Sequence, residues 1–216
     1  MLEYIVETGK TSSLHSVEIP QCVRALDVVF LVDVSSAVND TEWKWVADAV
    51  QTVSAALRPS MDGTNISVIT FDDVVRTTVR QSQLKGGALQ RPPHPGVSRN
   101  LSVALGNISG GGVFYRVDVP DVLVVFLAAS SSDRDAAVRE AGRLKFDGVK
   151  IVAVGLTPEV DVDELKAIAT NPNEAESLLL GDYRELTSAS TKILSYVCHF
   201  KAEGKRKALI LNLLLI

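Results

Sequence analysis

Three almost uninterrupted apolar runs constrain this chain more than any other feature: Ala25 to Asp33 (ALDVVFLVD), Asp121 to Ala128 (DVLVVFLA) and Val149 to Leu156 (VKIVAVGL). A strand with one wet face alternates in polarity. A strand that stays apolar throughout is covered on both faces, as in a parallel sheet sandwiched between helices. Each run leads into a polar turn and then a segment of helical period. After the first, Trp43, Val46, Val50, Val53 and Leu57 mark a helix near Thr41 to Leu57. Asp40 or Thr41 can cap it, and Pro59 follows its end. Asn65 to Asp72 and Val74 to Arg80 read as two strands at hairpin spacing, and Gly86 to Gly96 as a loop. Leu101, Ala104, Leu105 and Ile108 share a helical face, with Ser98 as its expected cap. Asp133 opens a helix through Val138, Ala141 and Leu144 that Gly148 ends. A short helix over Asp161 to Thr170, a strand over Ser177 to Leu180 and a helix over Thr187 to Cys198 complete the pattern. The order predicts an α/β fold. It is a doubly wound, mostly parallel six-stranded sheet with one antiparallel edge strand and helices on both faces.

The 216 residues suit one such domain with short tails. We expect an arm or linker over 1–21, the domain over 22–198 and a tail over 199–216. An apolar fraction of 46% excludes a disordered chain, and a net charge of −4 disfavours a nucleic-acid binder. The longest nearly apolar run, Ala208 to Ile216, is half of what a membrane span needs. Met1 to Gln21 lacks the basic-then-apolar pattern of a signal peptide, and reads as part of a longer parent if the protein is secreted. The tail KAEGKRKALILNLLLI reads as an extra helix or a lead into a neighbouring domain, with a membrane-surface anchor as the other reading.

Cys22 and Cys198 flank almost everything that looks folded. Two buried thiols or one bridge fit the cysteines alone. A bridge closing so long a loop would stabilise the domain by about 5 kcal/mol on the chain-entropy model. Four of the seven asparagines, Asn39, Asn65, Asn100 and Asn107, start N-glycosylation sequons, where chance would give about one. That excess favours a secretory history, and with it the bridge.

The segment ALDVVFLVDVSSAVNDTEWKWVADAV resembles the start of a von Willebrand factor type A domain. The likeness continues, in order, through VITFDDVVRTTV, VPDVLVVFLAASSSD, GVKIVAVGLTPEVDVDELKAIA and LLLGDYRELTSASTKILSYVC. The second half is similar to the extracellular-matrix branch, with type VI collagen and the matrilins, where cysteines also bracket the domain. The resemblance implies a Rossmann-like fold with a metal site at the C-terminal ends of the central strands. There a bound Mg²⁺ accepts a carboxylate from a partner protein.

This chain departs from that site. The family's first loop reads Asp-x-Ser-x-Ser; here Asp33 and Ser35 stand, but Ala37 replaces the second serine. The family's threonine falls at Arg99, or at Ser98 with a slip of one residue. The Thr-Asp-Gly after the fourth strand is replaced by Leu127-Ala128-Ala129. Mg²⁺ demands near-octahedral oxygen ligands. Asp33, Ser35 and Ser98 are a residual set, expected to hold Mg²⁺ weakly and without function. Arg99 suggests a substitute: its guanidinium reaching Asp33 where the ion would sit.

Asp72 and Asp73 read as solvated acids at a strand end. His15, His94 and His199 have no ligand spacing, and no histidine or cysteine near Ser35 or Ser36 offers a nucleophilic triad. The expected function is a non-catalytic, extracellular protein-interaction domain in matrix assembly or cell–matrix adhesion, without cofactor. Its partners would be other matrix proteins, such as collagens or sister A domains. Two readings compete. One is a Mg²⁺-dependent ligand site on the same fold. The other is a flavodoxin-like enzyme holding a phosphate at Ser35 and Ser36, which Asp33 would repel.

Overall fold

The computed structural model describes residues 25–57, 63–80, 89–93, 95–110, 113–114, 116, 118–171 and 176–198. Cys22, His15, His94, His199 and both expected tails lie outside them. Six strands form one sheet: β1 (Asp27–Asp33), β2 (Asn65–Phe71), β3 (Val75–Arg80), β4 (Asp121–Leu127), β5 (Lys150–Gly155) and β6 (Ser177–Leu179). The order is β3-β2-β1-β4-β5-β6, and only the edge strand β3 runs antiparallel. This is the predicted doubly wound sheet.

The apolar runs are the central strands because both faces are covered. Along β1, Val28, Phe30 and Val32 join one core cluster, while Val29 and Leu31 join the other. The first cluster is covered by α1 (Asp40–Ala56) and α5 (Leu186–Cys198); the second by α2 (Leu101–Ser109), α3 (Arg134–Phe146) and α4 (Val162–Ile168). Phe30 and Phe126 stack across neighbouring strands, ring centroids 6.4 Å apart. Each such fully buried side chain contributes about 1.5–3 kcal/mol over its exposed state.

The helix ends differ from the sequence expectation in an instructive way. α1 is capped by Asn39, not by Asp40 or Thr41: its Oδ1 accepts from the amides of Thr41 and Glu42, and Glu42 returns a bond to the Asn39 amide. This capping box consumes the one sequon asparagine at a helix start whose oxygen faces the first turn. Asp161, expected as the first residue of its helix, instead caps α4, its Oδ1 accepting the amides of Asp163 and Glu164. Gly148, at φ 86°, turns the chain from α3 into β5 where a side chain would be strained. A single 3₁₀ turn, Tyr183–Glu185, precedes α5.

Winding reverses between β1 and β4, since β2 lies on one side of β1 and β4 on the other. Folds of this kind place their binding crevice at that switch point, beyond the strands' C-terminal ends. Asp33 ends β1, and Ala128 follows β4, at that place.

Candidate functional site

Asp33 is fully buried at the crown of the sheet. Its Oδ1 accepts the Ser35 amide at 2.9 Å and its Oδ2 accepts the Ala128 amide at 3.1 Å, so the carboxylate bridges the β1 and β4 loops. Burial pushes its carboxyl above the ordinary range, against the pull of Ser35, the Ala128 amide and the more distant charge of Arg99. Ser35 Oγ is equally buried and faces the carboxylate without a hydrogen bond of acceptable geometry. The hydroxyl of Tyr183 nearby is also buried without a partner. Burial and the negative charges of Glu42 and Asp33 raise its pKa.

Arg99 does not take the role expected of it. Its Nε donates to the carbonyl of Ser130 at 2.8 Å, and it forms no ion pair with Asp33. The Ser130 carbonyl, on the loop after β4, takes the Arg99 guanidinium instead. Main chains lock the same two loops: the Arg99 amide donates to Ser132 Oγ at 2.9 Å, and the Ser132 amide to the Arg99 carbonyl at 3.0 Å.

Nor does Ser98 cap α2. The cap position is Asn100, whose side chain makes no capping bond. Asp133 serves instead from across the gap, its Oδ2 accepting the Ser102 amide at 3.0 Å, and it makes no cap bond to its own helix. Ser98 is tied elsewhere, its amide donating to Asp73 Oδ1 at 2.8 Å. The structure thus brings Asp33 and Ser35 together and anchors Ser98 on the β2–β3 turn.

Asp72 corrects a second expectation, for it is not solvated. It is fully buried. Its Oδ1 accepts the Val74 amide at 2.8 Å and Arg76 Nη1 at 2.9 Å, and its Oδ2 accepts the Gly96 amide at 2.9 Å. Burial opposes ionisation, but those amides and the Arg76 guanidinium together hold its carboxyl below the ordinary range. Its carbonyl also accepts the Asn100 amide at 3.2 Å. The 95–100 loop, which carries both Ser98 and Arg99, therefore hangs on Asp72.

The stitching continues around the crown. The Ser36 amide donates to the Gly96 carbonyl, Thr157 Oγ1 to the Ala128 carbonyl and the Asp161 amide to Ser130 Oγ. Buried Glu164 accepts both the amide and the hydroxyl of Ser131. Composition alone gives no reason to pick these residues. The only signal is their position, at strand ends or first helical turns on the same end of the sheet.

At the positions of the expected ligand set, Ala37 offers no side-chain oxygen and Ala128 donates its amide to Asp33, while Arg99 acts on Asp33 only as a more distant charge. Among the described residues no group of three or more His, Cys, Asp or Glu stands together as ligands. Cys198, at the end of α5, is disulfide-bonded; its expected partner Cys22 lies outside the described residues. Asn39 and Asn107 are exposed, while Asn65 and Asn100 are half-buried.

Residues 27–192 match the model of the von Willebrand factor type A domain. The chain is similar to mouse collagen alpha-4(VI) chain, 28% identical over 88% of this chain and 9% of that one. It is similar to chicken matrilin-1, 25% identical over 81% of this chain and 36% of the relative. It thus spans well under half the length of these relatives. Among solved structures it resembles proximal thread matrix protein 1 from the mussel byssus: TM-score 0.71, 21% identity, 82% of this chain and 49% of that one. Another structure of that mussel protein, with a zinc-occupied MIDAS motif, superposes at TM-score 0.69 and 19% identity, over 82% of this chain and 49% of that one.

Proposed function

Because the chain belongs to the von Willebrand factor type A domain family, we propose that it is an extracellular, non-catalytic protein-interaction domain whose binding does not depend on a metal ion. It serves in matrix assembly or cell–matrix adhesion, with other matrix proteins as partners, collagens or sister A domains among them. The similarity to collagen and matrilin chains supports the matrix setting. The sequons and the proposed Cys22–Cys198 bridge support secretion.

The observation that carries the metal-independent reading is that hydrogen bonds between protein groups join the crown loops. In the family's working site a divalent ion links several loops. Here the Asp33 carboxylate spends an oxygen on each of two amides, and Arg99, Ser130 and Ser132 join the loops directly. A partner carboxylate would find no Lewis acid at the crown. The non-catalytic reading is supported by the burial of Ser35: its hydroxyl is closed off from solvent behind the Asp33 carboxylate, out of a substrate's reach.

The test is solid-phase binding of the domain to purified type VI collagen and to fibrillar collagens, with Mg²⁺ and with chelator. Equal saturable binding in both buffers is expected. Binding that disappears in chelator would return the domain to the ion-dependent class, and a yellow colour or a copurified nucleotide would point to a flavodoxin-like enzyme.

A further inference from the structure

Four asparagines open the acceptor pattern for N-glycosylation, and the fold treats them differently. We propose that Asn39 carries an N-linked oligosaccharide, which stands at the rim of the crown and closes that end of the domain to protein partners. The proposal rests on the extracellular reading of the domain and deepens it, by naming what covers the crown.

Three observations separate Asn39 from the other sequons. The first is exposure. Asn39 and Thr41, the two ends of its motif, are both exposed, whereas Ser67, Ser102 and Ser109, which close the other three, are all half-buried. A bulky hydrophilic group needs such a surface position. The second is the state of the amide. Asn39 Oδ1 accepts the amides of Thr41 and Glu42 at 2.9 and 3.0 Å, which fixes the carboxamide plane. Nδ2 lies on its other side and donates no hydrogen bond among the described residues. At Asn107, by contrast, Nδ2 is committed to the Val103 carbonyl at 2.9 Å, and Asn65 and Asn100 are themselves half-buried. The third is rigidity. Arg91 donates to Asp40 Oδ1 at 2.6 Å and to the Val38 carbonyl, so one guanidinium clasps the residues on both sides of Asn39.

The modification leaves the cap intact. The donor is an oligosaccharide linked through its anomeric carbon to a lipid diphosphate. The bond from Nδ2 to that carbon forms, the carbon–oxygen bond to the diphosphate breaks, and the lipid diphosphate leaves. Nδ2 gives up one of its two protons to a base of the transferase. Oδ1 takes no part, so both of its bonds to the first turn of α1 survive. The position decides what the sugar covers. Asn39 follows Asp33 by six residues, so the two lie within about 20 Å even along a fully extended chain. The loop is tighter than that, since the Val38 amide returns to the Ser35 carbonyl at 3.0 Å. Ser36, exposed on the same loop, lies under the reach of a branched sugar rooted at Asn39.

The test expresses the full chain behind a secretory leader in mammalian cells. Enzymatic release of the glycans in heavy-oxygen water leaves an isotopic tag on each asparagine that bore one, and peptide mass spectrometry locates it. A tag at Asn39 is expected. Thr41→Ala removes the motif's hydroxyl but not the Thr41 amide on which the cap depends, so this variant should lose the tag and keep its thermal midpoint. Shielding is read with Ser36→Cys, placed in the glycosylated chain and in the Thr41→Ala chain. A bulky polyethylene-glycol maleimide should label the glycosylated chain several-fold more slowly than its Thr41→Ala counterpart, while a small maleimide labels both alike. An untagged Asn39 beside tagged sequons elsewhere would overturn the proposal, as would equal labelling by the bulky reagent. A chain tagged at no sequon would overturn it together with the secretory setting. None of these outcomes touches the metal question, which the collagen binding with and without chelator answers separately.

Discussion

Replacing Asp72 by asparagine tests how the crown is held. The side chain keeps its shape, so no cavity opens, but one carboxylate oxygen becomes an NH₂ that must face a donor. Whichever way the amide turns, it confronts either the Gly96 amide or the Val74 amide with Arg76 Nη1, now at 2.8 to 2.9 Å. One buried donor without an acceptor costs about 1–3 kcal/mol, and the weakened bond to Arg76 adds about 1 kcal/mol. A loss of about 2–4 kcal/mol is therefore expected in urea unfolding at neutral pH. The folded-state carboxyl lies below its ordinary range. Its contribution is thus complete above the unfolded carboxyl's pKa of about 3.9 and disappears as pH falls through the lower folded value. The gap between wild type and Asp72→Asn should stay constant from neutral pH down to about pH 5 and narrow below about pH 4. Hydrogen exchange at Gly96 should quicken in the variant. A variant within about 0.5 kcal/mol of the wild type, or a gap that ignores pH, would refute the view that Asp72 anchors the 95–100 loop.

The triple change Ala37→Ser, Arg99→Thr, Ala128→Asp restores the family's oxygen set, and should create a saturable magnesium heat in calorimetry that the unchanged chain lacks. Cys22→Ser, by opening the proposed bridge to Cys198, should lower stability by up to about 5 kcal/mol in non-reducing denaturation, and reductant should then leave the variant unchanged. Asn39→Ala removes the α1 capping box and should cost about 1 kcal/mol in the same assay.

The sheet was legible because burial on both faces leaves an unmistakable record. The runs ending at Asp33, Ala128 and Leu156 could be nothing but central strands, and the charge-bearing β3 reads as an edge. Helix caps were less legible. Asn39, Asp40 and Thr41 are all competent caps, and the choice depends on Glu42 returning its bond. The crown was legible in composition but not in wiring. The loss of oxygens at Ala37 and Ala128 stands in the sequence. That Arg99 would turn to Ser130, that Asp133 would serve the neighbouring helix and that Asp72 would be buried all depend on contacts between residues 24 to 31 positions apart. Local propensity carries no information about such distant pairings.

The account is tested most directly by titrating magnesium into the full chain in a calorimeter. With too few oxygens converging on Asp33, the heats should match dilution through the millimolar range. A one-to-one saturable heat at submillimolar magnesium, abolished by Asp33→Asn, would contradict it.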